Sequence, residues 1–383
     1  MDENPKIELV RDSESEELDS SVVPASATRL NQWLAALVSR GGSDLLLVNG
    51  VPAYIRVNGE CVAIGTEALR GEQIEAAVRP ALAPHAIAQY QKGQIADSSY
   101  QVPGLGRFRI NLHHERGRAA ATVRALPTKI PQLRELHLSP SIETLSNLPR
   151  GLVLIGGPAG SGKTTTLAAL IHEINRRDAR HILTIEDPIE YEHPHQRSVV
   201  EQLEVGTDVQ DFPTALRAAL RQAPDVLVVG EMRDPETMRM AVSAAETGHL
   251  VLSTIHTTDV VSTISRIADS FPPERQNTIR QELAMVLAAV VTQILLPSKQ
   301  GGRYPAAELL MVSYGARQHI RRNALQHLHQ EITMTKKLGS FSLEESLADL
   351  FGQGHISRED ALLYAIHPDD LEAILRSRSL RQS

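Results

Sequence analysis

The stretch GLVLIGGPAGSGKTTT, residues 151–166, constrains this chain more than any other. It contains G-x-x-x-x-G-K-[ST] as Gly157, Gly162, Lys163 and Thr164. Apolar Leu152 to Ile155 precede it, and Leu167, Leu170, Ile171 and Ile174 follow on one helical face. A strand, a glycine loop and a helix in that order form a phosphate cradle. Glycines let backbone N–H groups turn inward, the helix start adds partial positive charge, and the lysine reaches the terminal phosphates. Gly157, Pro158, Ala159, Gly160, Ser161, Gly162, Lys163, Thr164 and Thr165 are therefore expected to hold a nucleotide, with the Thr164 hydroxyl on Mg²⁺. The chain lacks an NKxD-type guanine-reading tetrapeptide, which favours ATP over GTP.

Around this loop, apolar runs alternate with helical segments: VLIGG, HILTIED, VLVVGE, LVLSTIH. Such alternation predicts βαβ crossovers and a mainly parallel sheet covered on both faces, an α/β core over 150–298. Ligands of such sheets sit at the carboxyl ends of the strands, so residues there are the candidates for chemistry. Val226 to Gly230 is followed by Glu231, where many phosphate-loop proteins place an Asp one residue earlier. Glu231 is expected to orient and activate the attacking water. Ile182 to Ile185 ends in Glu186-Asp187-Pro188, with Glu190 beyond. Glu186 is the better placed to assist, whereas Asp187 is as well explained by a turn before Pro188. His249 and His256 flank LVLST, and strand geometry puts them about 20 Å apart, too far to share a metal. His256 lies at the carboxyl end, where it can sense a γ-phosphate or a neighbouring subunit; His249 lies at the far edge.

Residues 1–20 carry eight acids against two bases, so 1–25 reads as an acidic disordered tail. Without it the chain, at formal net charge -7 overall, is close to neutral and has no basic nucleic-acid footprint. With one Trp, seven Tyr and five Phe, it also lacks a stacking platform for single strands. The acidic start is unlike a secretory leader, and export is not expected. Cys61, the only cysteine, excludes an internal disulfide or a four-cysteine zinc site. The longest apolar stretch, Leu283 to Leu296, is interrupted by Thr292 and Gln293 and is too short for a membrane span. Residues 26–126 read as an α+β domain. It opens with a helix whose core stripe is Leu30, Trp33, Leu34, Leu37 and Val38, continues in short strands, and has one helical segment near 71–91. Pro127, Pro131, Pro140 and Pro149 mark 127–149 as a linker, and 299–383 reads as a small helical region.

In order and spacing, GGPAGSGKTTT, ILTIEDPIEY, ALRQAPDVLVVGEMRD and TGHLVLSTIHTTD resemble the four nucleotide boxes of the type II/type IV secretion ATPase superfamily, and within it the pilus-retraction, twitching-motility type. The resemblance runs from about Ala27 to Leu371 and includes RFRINL. It implies a PAS-like α+β N-terminal domain, a RecA-like ATPase domain and a homo-hexamer with ATP between subunits. It further implies a cytoplasmic motor, peripheral at the inner membrane through a pilus platform protein, in the company of related pilus ATPases. Lys163 and Thr164 then belong to the Walker A box, Glu186 to the Asp box, Glu231 to the Walker B box, and His249 with His256 to the His box. Arg109 and Arg124 resemble the family's phosphate-facing arginines. Two departures bear on subtype. The family's AIRNLIRE appears as GARQHIRR, with His319 and Arg322 at altered positions, and its QREVG reads QLEVG, with Leu203 replacing an arginine. The alternatives are an accessory retraction motor, a secretion-system ATPase, or a nucleotide-binding regulator of the same machine that does not hydrolyse ATP.

Overall fold

The computed structural model describes residues 28–382, so the acidic segment 1–25 lies outside the described residues. The chain divides into two compact units, the first ending at Leu126 and the second starting at Pro127.

In the first unit, helix α1 (Arg29–Ser39) begins where the Thr28 hydroxyl accepts from Asn31 N–H. It buries Leu30, Leu34 and Leu37, whereas Val38, at the margin of the stripe, is exposed. There follow β1 (Asp44–Leu47), β2 (Ala53–Val57), β3 (Glu60–Ile64), α2 (Gly71–Val78), α3 (Pro84–Gln91), β4 (Ala96–Val102), β5 (Gly106–Glu115) and β6 (Arg118–Ala125). The strands form an antiparallel sheet in the order β3-β2-β1-β6-β5-β4. Alternate residues Leu45, Leu47, Ile110, Leu112 and Val123 pack with Leu34, Leu37, Ile74 and Val78 of the helices into one core. The helical segment expected over 71–91 is two helices, because a 3₁₀ turn containing Pro80 and then Pro84 interrupt it. β3 is an exposed edge strand despite its mostly apolar sequence, Glu-Cys-Val-Ala-Ile, and β4 is rich in Asp and Ser.

The second unit holds β7 (Gly151–Gly156), α4 (Lys163–Arg177), β8 (His181–Glu186), β9 (Val199–Glu204), α5 (Phe212–Ala219), β10 (Val226–Val229) and α6 (Pro235–Glu246). It continues with β11 (Leu250–Ile255), α7 (Val260–Asp269), α8 (Pro273–Val286), β12 (Leu287–Pro297) and β13 (Arg303–Met311). Helices α9 (Tyr314–Arg321), α10 (Leu328–Met334), α11 (Leu343–Gly352), α12 (Arg358–Tyr364) and α13 (Pro368–Gln382) close it. The sheet order is β13-β12-β7-β11-β10-β8-β9. Every pairing is parallel except that of β12 with β13. β7, β10 and β11 are buried at every position, as expected of strands covered on both faces. Leu152 and Leu154 enter one core and Val153 and Ile155 the other, so the sheet separates two hydrophobic layers.

Two stretches differ from the sequence-based reading. Residues 127–149 are part of the second unit rather than a free linker: short 3₁₀ turns at Leu133–Leu136 and Pro140–Asn147 bury Leu133, Ile142 and Leu145 in the core beside α4. Arg177 of α4 donates to Ser146 O at 2.7 Å and Asn147 Oδ1 at 2.6 Å and pins the second turn. The prolines there start or flank turns. The region from 299 is not purely helical, since β13 pairs with β12 over nine residue pairs. The long apolar run Leu283 to Leu296 proves to be the end of α8 joined directly to β12. Among the described residues no helix is long and apolar enough to cross a membrane.

Candidate functional site

β7 delivers the chain into the glycine loop at the carboxyl edge of the sheet, between β11 and β12. Gly157 has φ 152°. A Cβ there would press on Ser161 Oγ and lie 2.5 Å from the Gln293 carbonyl, so no larger residue fits without moving backbone. Gly162, in the left-handed region, starts α4 without a side-chain cap. The first amides of α4 are thus left for another acceptor. Lys163 is buried, and its Nζ donates to the carbonyls of Gly157 and Pro158, each at 2.9 Å. Burial pulls its ammonium below the usual lysine range, while the Glu231 and Glu190 carboxylates pull the other way.

From Lys163 a line of polar contacts crosses the ends of three strands. Nζ lies 3.3 Å from His256 Nδ1, just past β11, and His256 Nε2 lies 3.2 Å from Glu231 Oε1, just past β10. Glu231 Oε2 is 3.0 Å from Arg233, which also reaches Asp187 at 3.7 Å. At Gly230, in the position where an Asp would be usual, the chain runs close to β8: an added Cβ would lie 3.1 Å from Ile185 O and would fit only with a small shift of its neighbours. The carboxylate is displaced to Glu231, where it meets His256. Glu186, ending β8, accepts from Thr184 Oγ1 at 2.7 Å and Gln202 Nε2 at 3.1 Å.

Not every sequence-predicted residue joins this line. His249 sits at the opposite end of β11, its Nδ1 2.9 Å from Ala244 O and 3.0 Å from Thr247 Oγ1 at the end of α6. Thr165 is turned to Tyr191, its hydroxyl 3.0 Å from the phenol. Arg109 and Arg124 belong to the first unit, directly opposite one another on β5 and β6. Like charges so placed repel. Asp44 offsets the repulsion by accepting from Arg124 Nε at 2.9 Å, and Asp97 lies 3.5 Å from Arg109.

Gln293 was not anticipated from motif spacing. Buried on β12, it donates to Ser161 O at 2.7 Å and accepts from Thr166 Oγ1 at 2.8 Å, bracing the glycine loop from both sides. Its signal in the sequence is the polar Thr292-Gln293 pair inside an otherwise apolar run. The loop fits the phosphates of a nucleotide. Ser161 Oγ is buried without a hydrogen-bond partner, the start of α4 has no side-chain cap, and the buried lysine is satisfied largely by the loop's own carbonyls.

Parallel sheet, glycine loop, buried lysine and strand-end carboxylate together define a P-loop nucleoside triphosphatase. The family model described as type II/IV secretion system protein matches residues 124–345. The type IV pilus retractation ATPase PilT of Pseudomonas aeruginosa is 39% identical over 341 residues, covering 89% of this chain and 99% of that protein. The type IV pilus ATPase PilU of the same organism is 36% identical, covering 90% of each. A crystal structure of the pilus retraction motor PilT with bound ADP superposes at TM-score 0.83 with 38% identity, covering 91% of this chain and 99% of that one. The chain belongs to the type II/IV secretion system protein family, as one of its ATPases.

Proposed function

We propose that this chain is a hexameric ATPase motor that couples ATP hydrolysis to retraction of a type IV pilus, working at the cytoplasmic side of the inner membrane against a platform protein. The observation that carries the reading is the contact line Lys163–His256–Glu231, in a chain that parallels a pilus retraction ATPase along nearly its whole length. Lys163 and the amides that open α4 would hold the terminal phosphates, and Thr164 would ligate Mg²⁺. The metal, when bound, supplies charge neutralisation to the transferring phosphoryl group. Glu231 has one oxygen on His256 and the other on Arg233, so its carboxylate is held in a set orientation at the strand end. From there it orients the attacking water and accepts its proton. His256, touching both Lys163 and Glu231, reports the state of the phosphate end of the site to the base. Glu186 backs the same edge. Arg109, half-buried, and Arg124, exposed, form a cationic pair that would stabilise phosphoryl charge across a subunit interface, linking hydrolysis to domain movement.

An accessory retraction motor is the second reading, favoured by the altered positions His319 and Arg322 in and after helix α9. In α9, Arg317 donates to Ala284 O at 2.6 Å and Met285 O at 2.7 Å, capping α8, while His319 lies 3.6 Å from Glu331. The retained arginine thus has a structural task, independent of the substituted positions. Phosphate release by purified wild type, Lys163→Ala and Glu231→Gln tests the ATPase mechanism; equal rates in all three would overturn it. Gene deletion followed by counting surface pili tests the direction of work. Excess pili mean retraction, normal numbers with weakened traction mean an accessory role, and bald cells would sink both.

A further inference from the structure

Glu308 lies on β13, outside every nucleotide motif, and its side chain is buried. It stands directly across from Thr292 of β12. Its Oε1 accepts from Thr292 Oγ1 at 2.9 Å and from the Val260 N–H, the first of α7, at 2.8 Å. The loop leading into α7 is His256-Thr257-Thr258-Asp259. Thr257 Oγ1 is 2.6 Å from Thr263 Oγ1 of α7, and Thr263 Oγ1 donates to Asp259 O at 2.8 Å. The start of α7 and the His256 loop are therefore tied together, and Glu308 ties both to β12. Gln293, the next residue along β12 from Thr292, braces the glycine loop.

We propose that Glu308 is a positioning residue for hydrolysis, fixing the His256 loop to the strand that also holds the phosphate loop, so that His256 stays in register with Lys163. The proposal rests on the role given to His256 above. One strand thereby sets the spacing of two loops that approach the nucleotide from different elements. The acids facing Glu308 are Asp259, at the start of α7, and Glu344, on α11. Burial, reinforced by these two acids, pushes the Glu308 carboxyl up to about 7, against the two hydrogen bonds it accepts.

The test uses the full-length assembled protein with Glu308→Ala, Glu308→Gln and Thr292→Val, read by hydrogen exchange over residues 256–264 and by ATPase kcat and KM with Mg²⁺. Glu308→Ala is expected to speed exchange at the first turn of α7 by about tenfold or more. It should lower kcat by about tenfold while KM for ATP stays within about threefold, since the phosphate loop keeps its own brace. Glu308→Gln retains the accepting oxygen and restores both readouts. Thr292→Val keeps the buried shape, removes one of the two donors and gives an intermediate exchange rate, which serves if the alanine variant does not assemble. Wild-type exchange in either the Ala or the Val variant would overturn the proposal, as would a Glu308→Gln protein as impaired as Glu308→Ala. If exchange shifts as expected but the wild type releases no phosphate, the ATPase reading fails and the structural tie stands.

Discussion

A carboxyl whose folded-state pKa is raised should leave a signature in stability against pH, and Glu308 is the group to examine. Burial first, then Asp259 and Glu344, raise it from 4.5 to about 7. Between those values the folded chain binds a proton that the unfolded chain has released. Its contribution is therefore fully present below about pH 4.5 and is lost as pH rises through about 7. At about 1.4 kcal/mol per unit, the whole window is worth about 3 kcal/mol, of which about 2 kcal/mol falls between pH 5.5 and pH 8. Glu308→Gln lacks the titration, so the Tm of the variant relative to wild type should rise by about 4–8 °C on going from pH 5.5 to pH 8. The variant's absolute offset, set by how its amide N–H groups are accommodated, cancels in that difference. Scanning calorimetry at fixed protein concentration and ionic strength provides the measurement, because assembly and salt would otherwise shift Tm on their own. A difference that stays constant within about 1 °C would show that the carboxyl ionises freely in the folded state, which its buried position forbids.

Three further outcomes follow from individual contacts. Gly157→Ala forces a Cβ against Ser161 and the Gln293 carbonyl, and is expected to abolish binding of a fluorescent ADP analogue while leaving the helical circular dichroism signal intact. Gln293→Leu leaves the Ser161 carbonyl and the buried Thr166 hydroxyl unpaired, at about 1–3 kcal/mol each; nucleotide titration should show affinity reduced by about tenfold or more, and unchanged affinity would refute the bracing role. Asp234→Ala removes the N-cap of α6, whose carboxylate accepts from Thr237 N–H at 2.9 Å and Thr237 Oγ1 at 2.6 Å, and should cost about 1–2 kcal/mol in urea unfolding.

In the parallel sheet β7, β8, β10 and β11 were legible because they are covered on both faces and so appear as unbroken apolar runs, each ended by a glycine, acid or histidine, whereas the edge strand β9, Val-Val-Glu-Gln-Leu-Glu, carries no such run. β3 and β4 were less legible: β3 is an edge strand whose sequence shows no alternation, and in β4 the buried polar Ser98 interrupts the alternation of Ala96, Tyr100 and Val102 with Asp97, Ser99 and Gln101. The segment 127–149 misled for a related reason: its prolines read as punctuation, and the residues that anchor it, Leu133, Ile142 and Leu145, sit in short 3₁₀ turns too brief to show as a helical period in the sequence. Lys163, Glu231 and His256 could be assigned to one place since each ends or follows a strand at the same edge of the sheet. His249 carries the same side chain seven residues earlier, and strand geometry alone sends it to the other edge, where it meets the last turn of α6.

The braces behind the site were written in a different code. Thr292 and Gln293 are the polar interruption that keeps the run Leu283 to Leu296 from reading as continuous apolar sequence, and both are buried. A polar side chain in such a place costs free energy unless partnered, so its presence implies a partner that is itself buried and fixed. For Gln293 the partners are Ser161 and Thr166 around the lysine, and for Thr292 the partner is Glu308, which holds α7. Local motifs mark the groups proposed to meet the nucleotide; buried polar residues within otherwise apolar strands mark the groups that hold those motifs in register. Finding them requires the cross-strand pairing of β12 with β13, which no local pattern supplies.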